Sequence, residues 1–195
     1  MRVGVDCDPD TRFAGHARVR VAQVEPVRLR VDLEERAGLD RSLDGSLSLP
    51  DEILAERDWV IASLHAAFDR NPTERVLTAM DNPHVDMIGH LTARKINIRN
   101  PADVSIERVV ERAVETGTFL EINGQPDRLD LRDVHARAAK EAGLKLVVNS
   151  DGHQILAQNY VEFGIGQARR GWLTKDDVLN TRTWKQLDKL RRKRP

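Results

Sequence analysis

The sequence predicts an α/β fold of parallel strands curling towards a barrel, and three observations carry that expectation. Four short apolar runs read as buried strands: Trp59-Val-Ile-Ala-Ser-Leu-His65, Val85-Asp-Met-Ile-Gly-His90, Thr118-Phe-Leu-Glu-Ile-Asn123 and Leu144-Lys-Leu-Val-Val-Asn-Ser-Asp151-Gly-His153. Helix-length amphipathic segments separate them, so strand and helix alternate in units of roughly 25 to 30 residues, which argues for parallel pairing through right-handed crossovers. Each run also stops at a residue able to bind a metal, at the carboxyl ends of strands where α/β folds collect their ligands and catalytic groups.

The elements follow in order. Residues 27 to 33, Val-Arg-Leu-Arg-Val-Asp-Leu, alternate strictly and predict a half-buried strand. Gly38 to Pro50 reads as a polar loop, and Pro50 opens a short helix through Arg57, since proline near a helix start loses only a donor that has no partner anyway. Asn71-Pro-Thr-Glu74 supplies an N-cap, an early proline and an acidic third residue, predicting a helix from Pro72 to about Met80. Ser105 caps the next helix, whose apolar stripe is Ile106, Val109, Val110 and Ala113, with Gly117 as its stop. Leu131 to Ala142 repeats the pattern and ends at Gly143, and Thr174 and Thr183 are expected to begin two closing helices. The chain is thus expected to form a single domain over 1–195, with a divergent segment at 1–35, a core at 44–182 and a basic helix at 183–195.

Composition narrows the partners. A chain of 195 residues, 40% apolar and 32% charged, suits one globular domain with a real core. Lysine plus arginine equals aspartate plus glutamate, 31 of each, which removes any global electrostatic case for nucleic acid or an anionic membrane. Basic character is local to Lys185–Arg194 and is expected to be a solvated helix end. Cys7 is the only cysteine, so no disulfide forms within the chain and a cytoplasmic setting is expected. No run approaches the roughly 20 apolar residues that span a bilayer, and the polar start lacks the apolar core of a secretory signal. Three tryptophans and one tyrosine do not suggest an aromatic platform for bases.

The candidate chemistry lies at the strand ends. Alternation sends Asp151 and His153 the same way, pairing a hard anionic ligand with an imidazole, and a barrel would bring them to one mouth with His65 and His90. These four are the candidate metal ligands. Glu121 shares a strand face with Phe119 and Asn123, and a carboxylate facing an interior is costly unless paired or bound. It is therefore expected to serve the same site as a proton carrier or as a partner to the ligands, with Asp151 as the second catalytic candidate; the alternative is a buried glutamate satisfied by a nearby arginine. Arg94, Arg169 and Arg170 are candidate clamps for phosphate oxygens, because guanidinium matches that geometry bidentately. His16, His84 and His135 are assigned no ligand role.

These runs, together with Arg-Leu-Asp-Leu131 and Ala-Arg-Arg-Gly-Trp172, closely resemble the PHP (polymerase and histidinol phosphatase) domain, in the form found at the C-terminus of bacterial family X DNA polymerases. The resemblance runs from about Asp44 to Arg182 and into the basic helix. It implies a distorted (βα)7 TIM-like barrel carrying up to three divalent ions, usually Mn²⁺, Zn²⁺ or Fe²⁺, that hydrolyses phosphate esters. In the polymerase-linked branch the implied activities are 3′-5′ exonuclease, AP endonuclease and 3′-phosphatase, with DNA ends as substrate. By position His65 and His90 would hold one ion, Asp151 would contribute to a second and His153 to a third, in a metal-assisted hydrolysis.

The departures from that pattern matter too. The family's opening His-x-His and a further metal-binding histidine have no counterpart, and Arg30 stands where a bridging glutamate belongs. Asp6 and Asp8 have the spacing of the missing pair. Residues 1 to about 35 are expected to be too few for the missing βα units, leaving an incomplete barrel whose open edge invites a partner, such as a second copy of the chain. Polymerase domains are not expected, so nucleotide transfer is not an expected activity. Two readings follow: a metal-dependent phosphoesterase, or a non-catalytic PHP remnant that binds one ion or a partner chain. Arg30 bears on the choice, because a cation about 4 Å from a second ion at an effective dielectric near 20 costs roughly 4 kcal/mol.

Overall fold

The computed structural model describes residues 44–191. The predicted strand at 27–33 with Arg30, and the residues Asp6, Cys7, Asp8 and His16, lie outside them. Four strands, β1 (Ile61–Ala62), β2 (Met87–Ile88), β3 (Phe119–Asn123) and β4 (Leu146–Asn149), form one sheet in chain order with every pair parallel. The helices are α1 (Asp51–Ala55), α2 (Pro72–Asp81), α3 (Ile106–Thr116), α4 (Asp133–Glu141), α5 (Val161–Arg170) and α6 (Trp184–Asp188). The architecture is mixed α/β on a parallel sheet, compatible with a TIM-like fold. Among the described residues no helix is long and apolar enough to cross a membrane.

Local chemistry accounts for most of the boundaries. Pro50 stands just before α1. Ser105 Oγ accepts from the Arg108 N–H at the start of α3, and Gly117 closes that helix in the left-handed conformation. Asn71 precedes α2, but its backbone is left-handed and its side chain makes no cap. α4 starts two residues later than predicted because the Leu131 N–H donates to the Glu121 carbonyl, tying that residue to β3 instead. Thr174 begins no helix: its N–H and Oγ1 both donate to Asp177 Oδ2, at 2.8 and 2.9 Å, and close a turn. Thr183 does begin one, through a capping box with Gln186.

Strand alternation gives the sheet two different faces. Ala62, Ile88, Leu120, Ile122, Leu146 and Val148 join the larger core with Val76, Met80, Val109, Ala113, Ala136 and Ala168 from the helices. On the other face Ile61, Met87, Phe119 and Val147 meet Trp59, Leu179, Trp184 and Leu187 in a second cluster. Trp59 stacks on Phe119 at 5.7 Å between centroids.

The C-terminal segment therefore covers the lower part of this second face. It reaches the sheet edge through Asn180, whose side chain accepts from Val148 N–H at 3.1 Å and donates to Val148 O at 2.7 Å, imitating a neighbouring strand. Arg191 then donates from Nε to Asp86 Oδ1 at 2.7 Å, with both side chains under 5% exposed. The expectation of a wholly solvated basic end is corrected here: Arg191 is buried because Asp86, which also accepts the Val60 N–H at 2.8 Å, offers it a carboxylate at the base of β2.

Candidate active site

The upper part of the second face carries polar side chains where the lower part carries apolar ones. Continuing the alternation past Ile61, Met87, Phe119 and Val147 leads to Ser63, Gly89, Glu121 and Asn149, and then to the strand exits. Gly89 is required by close approach. A Cβ there would lie 2.6 Å from Ser63 Oγ and 3.0 Å from Ile61 Cγ2, with Glu121 Oε2 at 3.5 Å. Its absence lets the Glu121 carboxylate reach the His90 N–H, which it accepts at 2.6 Å.

His90 and Asp151, at the exits of β2 and β4, both have positive φ, 26° and 50°. For residues with a Cβ such backbone costs on the order of 1–3 kcal/mol, and it persists where surrounding contacts impose it. At His90 the imposing contact is the bond to Glu121. At Asp151 the backbone is held from both ends: its N–H donates to Asn149 Oδ1 at 3.2 Å and its carbonyl accepts from Gln125 Nε2 at 2.7 Å.

The structure brings His65 and His90 together. Their rings meet edge to face, 5.1 Å between centroids at 84°. His90 is buried, and burial first, then the Arg128 charge, push its pKa down to about 3. Its ring is neutral, and Nδ1 has no hydrogen-bond partner among the described residues. A neutral imidazole with an unengaged nitrogen is the form that ligates metals.

Glu121 and Asp151 are joined by one amide. Asn123 Nδ2 donates to Glu121 Oε2 at 3.2 Å and to Asp151 Oδ2 at 3.1 Å. Burial pushes the Glu121 pKa up to about 7, against the His90 N–H, which lowers it, and the charge of Asp151 raises it further. Among the described residues no arginine pairs with Glu121; the Arg128 guanidinium lies with Nε 3.3 Å from Asp151 Oδ2.

His153 stands at the margin. Its Nδ1 is 3.0 Å from the Asp151 carbonyl and 3.8 Å from Asp151 Oδ1, and its side chain is over half exposed. Arg94 donates from Nε to the Arg128 carbonyl at 2.5 Å and from Nη2 to the Leu129 carbonyl, so it holds the loop that presents Arg128. Arg169 and Arg170 are not brought to the site. α5 packs Gly164 against Ile122 and Gly124 near the strand exits, and its last residues lie beside Asp133, with Arg170 Nε 3.5 Å from Asp133 Oδ2. Arg170 lies six helical residues, about 9 Å, beyond Gly164.

Arg128 and Asp130 are not singled out as site residues by the sequence, and Asn123 is marked there only as the end of its run. Asp130 is buried, accepts the Thr92 N–H at 2.8 Å and returns its carbonyl to the Asn123 N–H, which ties the β2 exit to β3. Burial pushes its pKa up to about 6. The available signal was Arg128-Leu-Asp130 itself, two charges in a segment that follows a buried strand. A separate cleft of about 550 Å³, lined by Phe68, Asn71, Glu74, Asp103 and Arg108 among others, is not formed by these residues.

The donors fit a divalent metal in kind: two imidazoles, one of them neutral with a free nitrogen, beside two carboxylates. In number they form pairs, and among the described residues no group of three or more His, Cys, Asp or Glu side chains is arranged to hold a metal ion.

No family model matches the chain. A probable phosphatase of Thermoanaerobacter sp. (strain X514) is 32% identical over 196 residues, covering 93% of this chain and 76% of that protein. The DNA polymerase/3′-5′ exonuclease PolX of Bacillus subtilis (strain 168) is 41% identical over 148 residues, 74% of this chain. The chain belongs to the PHP family. It spans about a quarter of the length of the polymerase, 26%, and three quarters of the phosphatase. A probable phosphatase of Caldanaerobacter subterraneus subsp. tengcongensis is also similar, at 32% over 95% of this chain. Within this PHP chain, His90, Glu121, Asn123 and Asp151 are buried polar residues at or near the ends of the strands.

Proposed function

We propose that this PHP chain is a metal-dependent phosphoesterase acting on DNA 3′ ends. The observation that carries the reading is the His65–His90 pair beside two carboxylates held by a single amide, Asn123, at the ends of parallel strands. The relatives named phosphatase and 3′-5′ exonuclease support a phosphate ester as the substrate class.

His65 and His90 would hold one ion, Mn²⁺, Zn²⁺ or Fe²⁺, and Asp151 and His153 would contribute to others. When bound, such ions lower the pKa of bound water and offset charge on a transferring phosphoryl group. The chain's own residues do the rest. Glu121, with a pKa near 7 and Oε1 without a hydrogen-bond partner among the described residues, accepts or returns a proton at that oxygen. Arg128, beside Asp151 and held by Arg94, orients a phosphoryl oxygen. Asn123 keeps Glu121 and Asp151 in fixed relation.

Asp151→Asn is expected to abolish Mn²⁺-dependent hydrolysis of a 3′-phosphorylated oligonucleotide while circular dichroism stays unchanged. Unaltered turnover in that variant would overturn the reading. The absence of a three-donor group among the described residues favours a second one, a non-catalytic relative that binds a single ion or a partner chain. Metal stoichiometry separates them: two or more tight ions per chain support the enzyme, one or none the binder.

A further inference from the structure

Beyond His153 the chain turns apolar, and these side chains are largely exposed among the described residues. Ile155 and Leu156, on a 3-10 turn at Ile155–Tyr160, are 85% and 79% exposed, and Phe163 in the first turn of α5 is half exposed. Leaving such side chains in water forgoes roughly 1.5–3 kcal/mol each. They begin two residues after His153, a candidate ligand at the margin of the site.

The loop after β3, residues 124–129, connects this lip to a second wall. On the lip side Gly124 sits against the Tyr160 carbonyl, where any Cβ would collide, and Gln125 donates to the Asp151 carbonyl. On the other side the Asp127 carbonyl accepts from Ile96 N–H at 2.6 Å, and its carboxylate takes Lys95 Nζ at 2.8 Å. That wall ends in Arg99, whose Nε and Nη2 both donate to the Ala93 carbonyl and whose guanidinium lies 3.9 Å over the Phe68 ring. Neither group offsets the charge as a carboxylate would.

The two walls have complementary chemistry for one kind of occupant. A nucleotide chain presents an anionic backbone and bases with apolar faces, which suit a cationic wall and an apolar lip in turn. A small phosphate ester would use neither.

We propose that Ile155 and Leu156 form a base-contacting lip, which with Arg99 on the facing wall selects a nucleotide chain by the base adjoining the scissile phosphate. This rests on the phosphoesterase reading and names the residues that set its substrate class. The test is the double variant Ile155→Ser/Leu156→Ser, substitutions that the exposure of both side chains allows the fold to tolerate. Binding is followed by the fluorescence of a single-stranded, 3′-phosphorylated oligonucleotide with 2-aminopurine at its last position, and hydrolysis of p-nitrophenyl phosphate is measured in parallel.

The variant is expected to bind the oligonucleotide roughly tenfold to a hundredfold more weakly and to lose the fluorescence change, with p-nitrophenyl phosphate turnover unaltered. Arg99→Gln is expected to weaken binding and lower the salt slope by about one. Unchanged oligonucleotide binding in the double variant would overturn the proposal. So would an equal loss on both substrates, which marks a structural role, or lost self-association with intact oligonucleotide binding, which marks a contact between protein chains. If the native chain hydrolyses neither substrate, the phosphoesterase reading fails, while the binding comparison still decides the lip.

Discussion

The main-chain N–H of His90 donates to Oε2 of Glu121 at 2.6 Å, across the boundary between β2 and β3. One bond thereby fixes the strained backbone of a candidate ligand and supplies one of the two donors that a fully buried carboxylate has among the described residues. The remaining donor is Asn123, which extends the link to Asp151. Three strand exits are coupled in this way.

The Glu121 carboxyl makes the stability of the metal-free chain depend on pH. Its folded pKa is raised from 4.5 to about 7, so between those values the folded state retains a proton that the unfolded state has released. Stability from this group is full below about pH 4.5, falls as pH rises, and is lower by about 3 kcal/mol above pH 7. Glu121→Gln removes the titration and keeps an acceptor for His90. Urea unfolding in chelator should therefore show the variant gaining on the native chain between pH 5 and pH 8; a constant difference would argue that the carboxyl is not buried as described.

His65 is half-buried, and its loss should not disturb the fold. His65→Ala is expected to weaken Mn²⁺ or Zn²⁺ binding by at least about a hundredfold, the upper range for removing even a supporting group. Equilibrium dialysis with elemental analysis reads this directly. Retained affinity would exclude the imidazole pair as a metal site.

Arg191→Ala removes the guanidinium that meets the buried Asp86 carboxylate, which also accepts the Val60 N–H. Breaking one side of a buried pair costs roughly 3–5 kcal/mol. The loss should appear in the urea midpoint and should change little with added salt, because screening acts weakly on buried charges. A salt-sensitive or negligible effect would place Arg191 in solvent.

Asn180→Ala removes the side chain that serves both polar groups of Val148. The expected destabilisation is roughly 2 kcal/mol. Faster hydrogen exchange at the Val148 amide would localise it to the edge of β4, and unchanged protection there would mean another group takes the place of Asn180.

Much of the local structure was legible in the sequence. The strand runs at Trp59, Val85, Thr118 and Leu144 were found because buried strands are short, apolar and flanked by turn residues. Ser105 and Gly117 bounded α3 because capping is a property of single residues. The shared face of Phe119, Glu121 and Asn123 followed from the two-residue period of a strand. Thr174 misled because a hydroxyl that caps helices also closes turns, and Asp177, three residues on, made the turn the better partner. Arg169 and Arg170 misled because helix length, which carries them away from the strand exits, was not weighed against their charge.

The sequence by itself determined the four strands and their order, most of the helices between them though not α5, the family pattern and the presence of His65, His90 and Asp151 beyond strand ends with Glu121 inside β3. All of these depend on period, capping and composition over about a dozen neighbouring residues. Only the tertiary structure decided which groups meet. Asn123 reaches Asp151 across 28 positions, and Arg191 reaches Asp86 across 105. Such pairings are set by how the sheet twists and where the last segment lies against it. They carry no local signature, because a donor is chosen by what burial brings within about 3 Å and not by what precedes it in the chain.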